Sequence, residues 1–309
     1  MGKIFNALEK SSKEEKSRLS LSRKIKVVEP KGKGVVQNTF AEPIPENTET
    51  VFLSISDSSI SNPLISNGVK DTKEPMITGR LDKNLVVLLQ PESFEAEQFK
   101  MLRTNILFPA SGKAPRTIMI TSATPDEGKS FMAANLAISI AQNIDEHVLL
   151  IDCDIRRPVQ HTLFGFGDTL GLSDYLSGDM PLSSLLIKTQ VEKLTILPGG
   201  KASHNPAELL SSRQMADLLE EVKNRYPDRY IILDSSPPLL TSETSAVAKL
   251  VDGIVAVVRC GGTSKAVFLE FIEGMDKEKI LGIVMNYADI RSKKYYGYGK
   301  YSKYYRRSN

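Results

Sequence analysis

The run TIMITSATPDEGKS, residues 117–130, decides the fold. Its first part, TIMITS at 117–122, is almost wholly apolar or β-branched, the composition of a strand covered on both faces. The segment ATPDEGKS follows at once, and a helical stretch is expected from 129 to 143. The pattern G-x-x-x-x-G-K-[ST] is met from its second position onward, with Ala123 in place of the first glycine. A strand, a tight loop and a helix in that order build a phosphate cradle. Successive backbone N–H groups and a helix N-terminus point at phosphate oxygens. ATP with Mg²⁺ is therefore the expected ligand. The nucleotide-contacting residues are read as Ala123, Thr124, Pro125, Asp126, Glu127, Gly128, Lys129, Ser130 and Phe131. Lys129 is expected to reach the β- and γ-phosphates, and the Ser130 hydroxyl to coordinate the metal.

Outward from this loop, apolar runs alternate with helical stretches. The expected strands are 117–122, VLLID at 148–152, LTILPGG at 194–200, YIILDS at 230–235, GIVAVVR at 253–259 and ILGIVMN at 280–286. Helices are expected at 129–143, 206–225, 243–250 and 264–275. Ahead of them, PESFEAEQFKMLRTNILF reads as a helix with Phe94, Phe99, Leu102 and Ile106 on one apolar face. This is an α/β chain with a mostly parallel sheet covered by helices on both sides, a P-loop nucleoside-triphosphatase type of three-layer sandwich. Ligands in such folds bind at the carboxyl ends of the strands.

Two of those strand ends carry acids. VLLIDCDIRRP places Asp152 and Asp154 on either side of Cys153, and YIILDSSPP ends its apolar run in Asp234. Carboxylate oxygens suit Mg²⁺, a hard cation that keeps several waters when it is bound with a nucleotide. Asp234 fits the strand-tip aspartate that helps to hold the ion, and Asp154 is the second metal candidate. Arg156 and Arg157 are placed to neutralise phosphate or to contact a neighbouring subunit. Asn286, at the end of the last strand, is a candidate for hydrogen bonding to adenine. A strand-end capping amide explains it nearly as well.

The far end of the chain has a different character. KKYYGYGKYSKYYRRSN, residues 293–309, holds six of the ten tyrosines: Tyr295, Tyr296, Tyr298, Tyr301, Tyr304 and Tyr305. It has no aliphatic residue with which to build a core. A tyrosine hydroxyl titrates near 10, so attack on a γ-phosphate at neutral pH needs a carboxylate to take the proton. Asp152 suits that task. A tethered tail presents many tyrosines at high local concentration, so these six are read as phosphorylation substrates.

The remaining composition narrows partners and compartment. Net charge is only +3, which argues against a dedicated nucleic-acid binder. Residues 1–40 nevertheless carry ten Lys and Arg against four Asp and Glu, and no acid follows Asp289. Two basic ends suit an acidic partner or an anionic membrane surface, although plain solvation explains the N-terminal part equally well. Residues 2–18 suit a short amphipathic helix with Ile4, Phe5 and Leu8 on one face, and a helix that forms only transiently fits equally well; residues 20–80 are read as a mostly disordered linker. Domain bounds follow at 1–82, 83–290 and 291–309. Cys153 and Cys260 lie in no C-x-x-C pair, in keeping with a reducing cytoplasm. No stretch approaches the ~20 apolar residues of a membrane span. The best, AVAKLVDGIVAVV, is broken by Lys249 and Asp252. No secretory leader is expected from the N-terminal stretch, and MGKIFN lacks the Ser or Thr of a myristoylation signal.

Taken in order, ATPDEGKS, VLLIDCDIRRP, NPAELLSS at 205–212, YIILDSSPP and the tyrosine tail resemble the bacterial tyrosine autokinases of exopolysaccharide and capsule synthesis. The resemblance covers residues 84–309 and looks closest to the soluble type found with exosortase-linked gene clusters, whose opening MGKIFNALEK also resembles. It implies a tyrosine kinase in which Lys129, Ser130, Asp152, Asp154 and Asp234 occupy the functional positions. Asp152 is then the base, and Asp154 and Asp234 organise Mg²⁺. It also implies a homo-oligomeric ring of octamer size whose subunits phosphorylate one another's tails. The ring interface would use Glu97, Lys100 and Arg103 on one helical face. Lys100 stands where the family has Arg, which removes a bidentate donor. A separate membrane-embedded chain-length regulator is the implied activator, and the implied location is the cytoplasmic face of the plasma membrane. The family's acid shortly after the paired prolines is not clearly matched, since Glu243 is followed by Thr244.

Two rival functions share parts of this pattern. A partition-type ATPase switch would use the same loop, but such switches carry a lysine where this chain has Thr124. It predicts ATP turnover that survives removal of the tail. A nucleic-acid module would stack its basic, aromatic tail on single strands without any need for Lys129.

Overall fold

The computed structural model describes residues 26–28, 79–110, 112–178, 180–225 and 228–288, all within one compact unit. The expected N-terminal helix and the tyrosine tail lie outside the described residues. The sheet has eight strands in the order β1-β8-β7-β2-β6-β3-β5-β4. These are β1 (Lys26–Val28), β2 (Thr117–Ser122), β3 (His147–Asp152), β4 (Ile187–Lys188), β5 (Leu194–Leu197), β6 (Arg229–Asp234), β7 (Gly253–Arg259) and β8 (Ile280–Asn286). The two edge pairings, β1 on β8 and β4 on β5, are antiparallel, and every other pair is parallel.

Alternation along each strand divides the core in two. Ile118 and Ile120 of β2 face one cluster with Val148, Leu150, Ile232 and Val255. Met119 faces the other with Leu149, Ile151, Leu233 and Ala256. The first cluster lies under α1 (Val86–Leu89), α2 (Phe94–Leu107) and α3 (Lys129–Ala141), and α4 (Gln160–Leu163) adds Leu163 at its margin. The second is closed by α5 (Leu172–Leu176), α6 (Pro206–Leu210), α7 (Arg213–Arg225), α8 (Ser242–Leu250) and α9 (Lys265–Glu273). Because each central strand is covered on both sides, its sequence is continuously apolar, and the three layers follow.

The six expected strands are present, three with the expected bounds. The helix expected over 206–225 is two helices. Ser212 interrupts it, its hydroxyl accepting from the Met215 N–H at 3.2 Å and so starting α7 with a cap. Of the apolar face expected on α2, Phe99, Leu102 and Ile106 are buried, whereas Phe94 is only partly covered. Ahead of the expected bound at 83, the Gly79 and Asp82 N–H groups bond to the carbonyls of Gly165 and Leu163. Strand β1 falls inside the stretch expected to be linker. The open edge of β8 offers a backbone ladder, and three residues suffice to occupy it. The rest of that stretch up to residue 78 lies outside the described residues.

Candidate active site

The loop between β2 and α3 is shaped by two left-handed residues, Asp126 at φ 59° and Gly128 at φ 91°. Aspartate tolerates that region, and an alternation of this kind turns backbone N–H groups into an anion-binding nest. Glycine is required at 128 for a second reason: a Cβ there would lie 2.1 Å from Asn286 Nδ2. Gly128 also caps α3, so Lys129 and Ser130 open the helix whose positive end faces the cradle.

Most loop side chains serve the loop itself. Glu127 is buried, and its carboxylate accepts from the Thr124 N–H at 3.3 Å, from the Thr124 hydroxyl at 3.0 Å and from the Thr263 hydroxyl. Thr124, where switch ATPases carry a lysine, thus holds an internal latch. Ala123 sits in the core, and Phe131 packs edge-on against Phe99 with ring centroids 5.6 Å apart. Pro125 and Asp126 are exposed. What these positions offer a phosphate is backbone.

Asp152 and Asp234 end neighbouring parallel strands in direct register. Both are fully buried. Asp152 Oδ1 accepts from the Asp154 N–H at 3.2 Å, and Oδ2 accepts from Val159 at 2.8 Å and Gln160 at 2.9 Å. Asp152 therefore orients the turn that leads into α4. Burial first, and the Asp234 charge second, push its carboxyl well above the ordinary range, although the two backbone bonds from Gln160 and Val159 oppose the shift. Asp234 is pushed up by burial to about 6, against the stabilising pull of the Ser130 hydroxyl, the Gln160 amide and the Lys129 charge. Its Oδ2 accepts from Gln160 Nε2 at 2.8 Å, while Oδ1 is buried with no hydrogen-bond partner among the described residues. Asp154 is the most accessible of the three and lies close enough to Lys129 and Arg157 for both to counter its upward shift, which burial causes.

This arrangement fits a magnesium ion held with a nucleotide. Asp234 Oδ1 is a buried oxygen in want of a partner, the Ser130 hydroxyl lies against the same carboxyl group, and the donors are all oxygen, as the ion prefers. Among the described residues no cluster of three or more His, Cys, Asp and Glu is built to hold a metal. A magnesium–nucleotide site needs none, because phosphates and water complete the shell.

The structure brings Lys129, Ser130, Asp152, Asp154 and Asp234 together. It places Asn286 under the loop: Nδ2 donates to the Glu127 carbonyl at 2.8 Å and Oδ1 accepts from the Tyr287 N–H at 2.9 Å. Arg156 turns from the phosphate side to clasp Glu243, with Nε 2.6 Å from Oε1 and Nη2 3.4 Å from Oε2. The Thr244 hydroxyl, next along, donates to the Ser236 carbonyl at 2.8 Å and gathers Ser235 and Thr241 around it. A buried hydroxyl cluster thus occupies the place next to Glu243, and Arg156 meets the acid. On α2, Lys100 pairs with Glu97 at 2.6 Å, and Arg103 Nη1 donates to the Ser139 carbonyl at 2.8 Å. Gln160, which ties Asp152 to Asp234, carries no motif that would have singled it out in the sequence.

Comparison with known proteins gives the family. The family described as AAA domain matches residues 116–279. The tyrosine-protein kinase YwqD of Bacillus subtilis is 36% identical over 221 residues, covering 71% of this chain and 92% of that protein. The tyrosine-protein kinase CpsD of Streptococcus agalactiae is 36% identical over 210 residues, covering 67% and 90%. Among solved structures, the kinase domain of the Escherichia coli tyrosine kinase ETK superposes with a TM-score of 0.63 at 31% identity, over 70% of this chain and 84% of that one. The chimerical protein CapA2B2 gives 0.61 at 33% identity, over 68% and 93%. The phosphate loop, the paired strand-end carboxylates and these relationships make one assignment: the chain belongs to the bacterial tyrosine-protein kinases.

Proposed function

We propose that the chain transfers the γ-phosphoryl group of Mg-ATP to the tyrosines of its own C-terminal tail, between subunits, and thereby regulates export or polymerisation of an exopolysaccharide. The observation that carries this reading is the register of Asp152 with Asp234 beside a phosphate loop, two carboxyls of raised pKa at one strand edge.

In this reading the N–H groups from Thr124 to Phe131 and the Lys129 ammonium hold the phosphates, and Asn286 has a second Nδ2 hydrogen for the adenine edge. Ser130, Asp154 and Asp234 would hold Mg²⁺, which would offset the negative charge that develops on the transferring phosphoryl group. Asp152 takes the tyrosine proton as the phenolic oxygen attacks. The Gln160 and Val159 N–H bonds to its carboxylate fix its orientation and favour the charged form that can take a proton, against the burial that raises its carboxyl. Little else is asked of the protein, because phosphoryl transfer rests on positioning and charge.

The substrates are Tyr295, Tyr296, Tyr298, Tyr301, Tyr304 and Tyr305 of a neighbouring subunit in a ring closed through Glu97, Lys100 and Arg103. A separate membrane-embedded chain-length regulator recruits and activates that ring at the inner membrane face. Among the described residues no helix is long and apolar enough to cross a membrane. Intact mass after incubation with Mg-ATP tests the reading. Gains in steps of one phosphate are expected, absent from Lys129→Met and from a chain ending at Asp289. Unmodified wild-type protein that turns over ATP, even with the membrane regulator added, would make it an ATPase switch.

A further inference from the structure

Gln160 is fully buried beside Asp152 and Asp234, at the start of α4. It makes three bonds to the site. Its backbone N–H donates to Asp152 Oδ2 at 2.9 Å. Its side-chain Nε2 donates to Asp234 Oδ2 at 2.8 Å and to the Ser130 carbonyl at 3.2 Å. One residue thus spans the phosphate-loop helix and the ends of β3 and β6. A buried amide of this kind is costly unless its polar atoms are used. Two oxygens on the joined side chains have no hydrogen-bond partner among the described residues: Gln160 Oε1 and Asp234 Oδ1.

A buried carboxylate has two oxygens, and which of them faces a cation depends on what holds the other. Nε2 holds Oδ2, so Oδ1 is the oxygen left for a ligand. Outer-shell partners of this type fix ligand orientation and commonly change metal affinity tenfold to a hundredfold when removed. The unpartnered Oε1 is an acceptor that a water of a magnesium shell can use. A purely structural amide at this place would have been expected to satisfy both of its ends.

We propose that Gln160 is the positioning residue of the magnesium site, locking Asp234 so that Oδ1 meets the ion and supplying Oε1 to the ion's water. This rests on reading the site as one for Mg-nucleotide, and it does not depend on whether tyrosine is the acceptor. The test is binding rather than turnover. ADP affinity is measured by calorimetry with Mg²⁺ and again in EDTA, for wild type, Gln160→Met and Gln160→Glu. Methionine keeps the volume and loses the bonds, and glutamate sets an acceptor against Asp234 Oδ2. Both are expected to weaken Mg-ADP binding about tenfold or more, with metal-free ADP binding within about twofold of wild type. Equal loss in both conditions would assign Gln160 a merely structural role, and wild-type Mg-ADP affinity in Gln160→Met would overturn the proposal outright. A measurement on the unmodified protein guards against variants that do not fold. The side-chain amide resonances of Gln160 are expected to shift on addition of Mg-ADP and to stay in place with ADP in EDTA. No shift in either condition overturns the proposal. A kinase assay that fails while these binding results hold would count against the tyrosine reading alone.

Discussion

Asn286 Nδ2 donates to the Glu127 carbonyl at 2.8 Å, so the end of β8 props the phosphate loop. The contact is buried, and the carbonyl it serves belongs to the residue before the left-handed Gly128. Asn286→Ala strands that carbonyl. Leaving a buried acceptor unpaired costs about 1–3 kcal/mol, and the loop is the part that relaxes. The expected result is a lower urea midpoint together with weaker ADP binding, whereas a surface substitution would change neither. Gly128→Ala should be worse, because its Cβ would collide with the same amide and its φ disfavours any side chain.

Arg156 and Glu243 form an unequal pair. The Glu243 side chain is 1% exposed and that of Arg156 is 48% exposed. Removing the arginine abandons a buried carboxylate, and removing the acid frees an arginine already half in water. Breaking a buried pair from the charged side costs about 3–5 kcal/mol, and partial exposure here reduces that to about 1–3 kcal/mol. Arg156→Ala is therefore expected to be less stable than the double variant Arg156→Ala with Glu243→Gln. Urea denaturation of the two, read side by side, checks the order.

The same physics gives a pH dependence. In the metal-free protein Asp234 titrates at about 6 rather than at its ordinary 3.8. The native state then binds more protons than the unfolded chain between those values. Stability contributed by this group is present at low pH and is lost as pH rises through about 6. Asp152 acts in the same direction. Asp234→Asn keeps an acceptor for Gln160 Nε2 and removes the charge. Denaturation in EDTA should find it more stable than wild type at pH of about 7.5, with the gap closing toward pH of about 4. A gap that widened on acidification would contradict the assignment.

What was legible in the sequence was whatever local pattern encodes. TIMITS followed by ATPDEGKS could only be a buried strand running into a phosphate loop, and Asp152, Asp154 and Asp234 were marked by the apolar runs they terminate. What was not legible depends on the tertiary structure. The two-residue β4 and four-residue α4 are too short to show a period, and they exist because β5 and Asp152 give them partners. Gln160 is eight residues beyond Asp152 in an unpatterned stretch, so only the folded turn reveals its reach to Asp234. The break at Ser212 was readable in principle, since two serines precede a helical run. Reading 206–225 as one helical stretch passes over it.

The helix α2 offers the last prediction, because its three charged residues do different work within one chain. Glu97 and Lys100 pair with each other at the surface, with side chains 54% and 34% exposed. Such a pair is worth about 0–1 kcal/mol, and the fold barely needs it. Arg103 reaches inward to the Ser139 carbonyl, and losing that charged bond costs about 1.5–3 kcal/mol in a buried setting, less where water enters. If these residues close a ring, Glu97→Ala and Lys100→Ala should reduce the mass measured by light scattering while leaving the thermal midpoint unchanged. Arg103→Ala should lower both. Subunits that stay assembled in all three variants would move the interface elsewhere. Subunits that separate only in Arg103→Ala would point to lost helix packing between α2 and α3, since that variant alone removes a bond between the two helices.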